Sequence, residues 1–131
     1  MIAMPFTALV TVAALVLTFV LSLRVGNMRR KHGVKAPASS GHPEFEAANR
    51  IHQNTIEQLV LFLPVLWLGL YVLGDAITGV IGAVWIIGRI VYANAYARDP
   101  ATRGPGMGLT MLPTVVLLLA SLWGILQGVI A

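Results

Sequence analysis

The chain has 131 residues, 57% hydrophobic and 11% charged, with a mean hydropathy of +0.82, where an ordinary soluble domain carries roughly 25% charged residues. That deficit places it in the membrane class and leaves room for one domain, residues 1–131. There is no cysteine, which excludes a disulfide framework, a thiolate metal site and a cysteine nucleophile, and the net charge of +4 needs no nucleic-acid partner because its Lys and Arg residues all adjoin the ends of apolar runs.

Spanning a bilayer core takes about 20 mostly apolar residues in a helix. Met1 to Leu23 is uncharged and supplies the first span. It lacks a basic leader and a small-residue cleavage site, so it is expected to remain. Arg24 to Gly41, with Gly33, Pro37 and Gly41, reads as a polar loop. A second helix should open at Pro43-Glu44, since proline suits the first turn and acids suit the helix N-terminus. It is expected to run through Glu57 to Leu73, with a kink at Pro64. Gly74-Asp75 reads as a turn, and Ala76 to about Tyr96 as the third span. Asp99-Pro100 and Gly104-Pro105-Gly106 should break the chain before a fourth span, Met107 to Ala131, kinked near Pro113. The expected fold is an all-α integral membrane four-helix bundle.

Polar groups at membrane depth are costly and therefore functional candidates. Arg50, Asn54 and Glu57 recur at i, i+4 and i+7 on the second helix, and Arg89, Tyr92 and Tyr96 at i, i+3 and i+7 on the third; each set shares one face. Arg103 lies just beyond. One reading makes Arg50 and Glu57 a structural pair stitching helices together and the tyrosines an interfacial aromatic belt. The other takes the set as a site at one end of the bundle, for a small polar ligand with two carboxylates and an amine. Guanidiniums would hold the carboxylates and Glu57 the ammonium. His32, His42 and His52 are spaced ten apart and read as loop and helix-surface residues, not metal ligands. Trp67, Trp85 and Trp123 read as packing residues or interfacial anchors, and Gly79, Gly82 and Gly88 as points of close helix contact.

Pro43-Glu44-Phe45-Glu46 followed by Arg50, Asn54 and Glu57, Tyr92-x-x-x-Tyr96 with Arg103 beyond it, and Arg29-Arg30 ahead of a Gly/Pro loop together resemble the signature of the MAPEG family, the membrane-associated proteins of eicosanoid and glutathione metabolism. The likeness runs from about Arg24 to Arg103. It implies a homotrimer that binds glutathione as cosubstrate between subunits near the cytoplasmic face. By position, Arg29, Arg50, Asn54, Glu57, Tyr92 and Tyr96 resemble the family's glutathione-binding residues. Arg103 resembles the arginine that activates the thiol in the cysteinyl-leukotriene synthase branch, and Arg30 a second arginine assisting it. Ala47, His52 and Gln58 depart from the pattern, so the resemblance does not carry over a lipid substrate.

The resemblance implies a glutathione-dependent transferase, or also peroxidase, acting on a lipophilic electrophile or hydroperoxide. The alternative is a non-catalytic lipid- or glutathione-binding protein like the lipoxygenase-activating branch, which lacks an arginine at the position of Arg103. A small four-helix drug exporter would need a carboxylate in the first span, and Met1 to Leu23 has none. The expected location is a bacterial inner membrane, with the site toward the cytoplasm.

The basic windows form the first and third connections, so both chain ends should lie on the non-cytoplasmic side. A topology reporter fused at Ala131 is expected to read non-cytoplasmic; a cytoplasmic signal would invert the orientation.

Overall fold

Four helices account for nearly the whole chain in the computed structural model, which describes residues 1–131. They are α1 (Pro5–His32), α2 (Pro43–Leu73), α3 (Asp75–Arg98) and α4 (Gly104–Ile130), with one 3-10 turn at Pro100–Thr102. Each is long and apolar enough to cross a membrane. Large apolar side chains such as Phe19, Val60, Ile87 and Leu119 face outward, as a bundle solvated by lipid requires.

Two boundaries differ from the sequence expectation. The polar segment from Arg24 is helical as far as His32, because nothing in it breaks a helix before Gly33. Arg29, Arg30, Lys31 and His32 fill the last turn, where positive charge meets the negative end of the helix dipole. Gly33 then ends α1 in the left-handed conformation, at φ 64°. Gly104-Pro105-Gly106 is likewise not a break but the first turn of α4, where proline is tolerated because its missing N–H has no helical partner to lose. Both α2 and α4 run on through Pro64 and Pro113.

The helix ends are tied together. His42 caps α2, its Nδ1 accepting the Glu44 N–H at 3.2 Å, and its ring stacks on His32 with centroids 3.5 Å apart. Glu44 in turn accepts from Lys31 at 3.1 Å. At the other end of the bundle the Asp75 carboxylate accepts the backbone N–H groups of Phe6 at 3.0 Å and Thr7 at 2.8 Å, so α3 caps the open N-terminus of α1.

Between the ends the helices pack through small residues. A Cβ on Gly79 would lie 2.5 Å from Phe6 Cβ, and one on Gly82 would lie 2.7 Å from Val10, which sets the closeness of α1 to α3. Gly88 and Gly106 do the same for α3 and α4. A Cβ on Gly106 would meet the Tyr92 backbone nitrogen at 2.4 Å. The core beside these contacts is apolar: Trp85 stacks on Phe62 with centroids 4.3 Å apart, packed with Val10, Val65, Leu66 and Leu117.

Gly106→Ala puts backbone against backbone, where no rotamer change can relieve the overlap. It is expected to destabilise the protein by about 1–3 kcal/mol or more and to displace Tyr92. A thermal melt of the detergent-solubilised variant matching the parent would contradict the packing described.

Candidate functional site

The bundle end that carries the basic connections holds a cleft of about 230 Å³, lined by Arg50, Asn54, Tyr92, Tyr96, Arg103 and Met107. Three helices supply it. The i, i+4, i+7 stripe of α2 brings Arg50 and Asn54 to one wall, and Tyr92 and Tyr96 on α3 form the next, their rings tilted by 42° with centroids 5.7 Å apart. Arg103, the residue before α4, closes the set; its Nη1 donates to the Pro100 carbonyl at 2.9 Å. Larger clefts elsewhere, such as the one of about 300 Å³ between Phe6 and Ala83, are almost wholly apolar.

Glu57 does not line the cleft but is bonded to two residues that do. Its Oε1 accepts from Arg50 Nη1 at 3.1 Å and its Oε2 lies 3.5 Å from Asn54 Nδ2. Arg50 and Glu57 therefore pair, but within α2, so they do not stitch helices together. Their side chains are 47% and 55% exposed. Glu57 lies about 25 Å along α2 from the Gly74 turn, less than the ~30 Å thickness of a hydrocarbon core. Glu57 thus stands on the outer face of the isolated chain within the span of the core, while its partner Arg50, about 36 Å from the same turn, lies at the edge. Tyr92 is only 2% exposed and so cannot belong to an interfacial belt, while Tyr96 is half-buried.

Arg29 and Arg30 are not brought to this cleft. Arg29 donates to the Ala38 carbonyl at 2.7 Å, and its guanidinium lies 4.6 Å above the Phe45 ring. Arg30 is exposed and donates to Asn27. Of the eight candidate site residues, five line the cleft, Glu57 braces it, and these two point elsewhere. His32 and His42 stack on each other where α1 meets α2, and His32 belongs to a helix and not to the expected loop.

In donor and acceptor terms the cleft is lopsided. Arg50 and Arg103 only donate, the phenols can do either, and the one anion at its rim is Glu57. Such a set is complementary to a ligand rich in carboxylate or carbonyl oxygen, with one cationic group for Glu57.

Comparison with known proteins bears on what that ligand is. The MAPEG family profile matches residues 7–123, most of the chain. This protein belongs to the MAPEG family. Among MAPEG relatives, an uncharacterized protein of Synechocystis sp. is 41% identical over 119 residues, covering 91% of this chain and 87% of its own. Microsomal glutathione S-transferase 2 of Homo sapiens is 33% identical over 104 residues, covering 79% of this chain and 71% of its own. Leukotriene C4 synthase of Cavia porcellus is 34% identical over 96 residues, covering 73% and 64%. This MAPEG chain is accordingly a multi-pass membrane protein similar to glutathione-dependent transferases.

One residue of the polar stripes matched none of the positions to which the family resemblance assigns a role. Arg89, on the same α3 stripe as the tyrosines, is fully buried and donates to Asn54 and Thr55 at 2.9 Å each. Its signal in the sequence was a lone cation in the middle of an apolar span.

Proposed function

We propose that the chain is a membrane-bound glutathione transferase, with peroxidase activity open to the same chemistry, acting on lipophilic electrophiles or hydroperoxides. The observation that carries this reading is the cleft that gathers Arg50, Asn54, Tyr92, Tyr96 and Arg103 around one braced carboxylate. Glutathione has two carboxylates, one ammonium and a thiol, which matches that inventory. Arg50 and Asn54 would take its carboxylate and carbonyl oxygens, Glu57 its ammonium, and Tyr92 and Tyr96 would hydrogen-bond its backbone.

The reading includes a homotrimer with the site between subunits. Two observations support it. A half-exposed carboxylate within the span of the hydrocarbon core costs free energy against lipid and is relieved when another copy covers it. The cleft of about 230 Å³ is also smaller than the ~300–1,000 Å³ of typical ligand pockets, as expected if a neighbour supplies the rest. Arg29 and Arg30, turned away from their own chain's cleft, would serve a neighbour's. The site would open toward the cytoplasm of a bacterial inner membrane, where glutathione enters from water while the acceptor arrives through lipid.

Cysteine is absent, so the sulfur must come from the substrate. A free thiol with pKa near 8.5 is only a few per cent thiolate at neutral pH. The Arg103 guanidinium would stabilise the thiolate as its proton leaves to water. In conjugation, the sulfur lone pair forms a bond to the electrophilic carbon and a leaving group departs with its electrons. In peroxide reduction, the thiolate attacks the hydroperoxide oxygen and a second glutathione completes the disulfide, giving an alcohol and water. Arg30 from a neighbour would assist either path.

Two outcomes test these roles. Arg50→Ala should raise KM for glutathione and leave kcat nearly unchanged, because it removes binding felt equally by substrate and transition state. A severe fall in kcat at saturating glutathione would instead put Arg50 in the chemistry. Arg103→Ala should still bind glutathione but lose thiolate absorbance at neutral pH and shift the rate–pH profile upward by about two units, ~2.7 kcal/mol. Lysine should restore only part of this. Full activity with an unchanged profile, both in Arg103→Ala and combined with Arg30→Ala, would rule the mechanism out. Failure of the parent protein to bind glutathione at all would rule out the function.

A further inference from the structure

Arg89 sits about 21 Å along α3 from Asp75, well inside a hydrocarbon core ~30 Å thick. It is fully buried, yet no ion pair in the protein includes it. Its Nη2 donates to Asn54 Oδ1 and Thr55 Oγ1, both at 2.9 Å, and its Nη1 to Thr110 Oγ1 at 3.4 Å. Its Cζ lies 4.2 Å from the centre of the Tyr92 ring. The nearest link to negative charge runs through Asn54, whose Nδ2 faces Glu57 Oε2 at 3.5 Å. Glu57 then meets Arg50 at the rim. Arg89, Asn54, Glu57 and Arg50 thus form a file from the interior of the bundle to the mouth of the cleft.

The chemistry of that file fixes an orientation. A side-chain amide can sit either way round, and its partners decide which. A guanidinium has five N–H donors and no acceptor, so it can only bind the oxygen of Asn54. That turns the Asn54 NH₂ outward, toward Glu57 and the cleft. The opposite orientation would set the amide oxygen against the Glu57 carboxylate. A cation over the face of Tyr92 likewise restrains its ring.

We propose that Arg89 is a positioning residue for the cleft: without touching the ligand, it locks the Asn54 amide with its N–H groups outward and steadies Tyr92, so that the glutathione-binding donors are set before the ligand arrives. The inference rests on the function proposed above. A plain structural role, tying α2, α3 and α4 together through Thr55 and Thr110, would leave the ligand unaffected, and that difference is testable.

The experiment compares Arg89→Met, Arg89→Lys, Asn54→Ala, Thr110→Val and the Arg89→Met/Asn54→Ala double variant, each full-length in detergent and below its melting temperature. Two quantities are read: glutathione binding and kcat, and the NMR resonances of the Asn54 side-chain amide with no ligand present. Arg89→Met should weaken glutathione binding by about tenfold or more with kcat at saturation nearly unchanged, and Asn54→Ala should add little to it, as expected of residues acting as one unit. Arg89→Lys should recover part of the affinity, and it carries the test if the methionine variant does not fold. Thr110→Val should melt lower and bind as the parent does. The Asn54 amide protons should shift toward the positions of an unrestrained amide in Arg89→Met. Parent-like affinity in Arg89→Met, full additivity with Asn54→Ala, or unchanged amide resonances would each overturn the proposal. If the parent itself does not bind glutathione, the proposed function fails, and the amide resonances still decide the role of Arg89.

Discussion

A guanidinium cannot give up its proton at ordinary pH, so one buried in a membrane bundle must have its donors answered by the protein. Arg89 meets most of that demand with an amide oxygen and two threonine hydroxyls drawn from α2 and α4, its Nε alone being left without a partner. The demand reaches further than those three bonds. It holds α2, α3 and α4 at one fixed spacing near the basic end, and the glycines at positions 88 and 106 let α3 and α4 come close enough to keep it. The same spacing brings Arg50, Tyr92, Tyr96 and Arg103 around a common cleft. One buried charge therefore ties together the three helices that line the cleft, in a protein with few other strong directional contacts between helices.

Much of this was legible in the sequence, for identifiable reasons. Spans announce themselves by apolar length, so the four helices and the turn at Gly74 were readable. The α2 and α3 stripes were readable because helical period fixes which residues share a face. Less visible was where a helix ends inside polar sequence. The segment Arg24 to His32 has the composition of a loop yet lacks a breaker, so α1 continues through it. The Gly-Pro-Gly run at positions 104 to 106 has the composition of a break, yet proline starts helices well and Gly106 exists to let Tyr92 approach.

The partition of the site was harder still to read. Periodicity places Arg50 and Glu57 on one face but cannot say whether they reach across to another helix; they bond to each other within α2. Arg29 and Arg30 stand near the site in sequence pattern, but the chain turns them toward Ala38, Phe45 and Asn27. Arg89 looked like one more member of the tyrosine stripe. Only its depth of burial and its donor geometry set it apart, and neither is a property of one helix alone.

The Asp75 cap on α1 has a consequence for biogenesis. α1 is made before α3, and the carboxylate that satisfies its N–H groups at Phe6 and Thr7 lies 69 and 68 residues further along the chain. Those groups gain this partner only once α3 is in place. The start of α1 is in this way fastened to the bundle by a residue made past the middle of the chain.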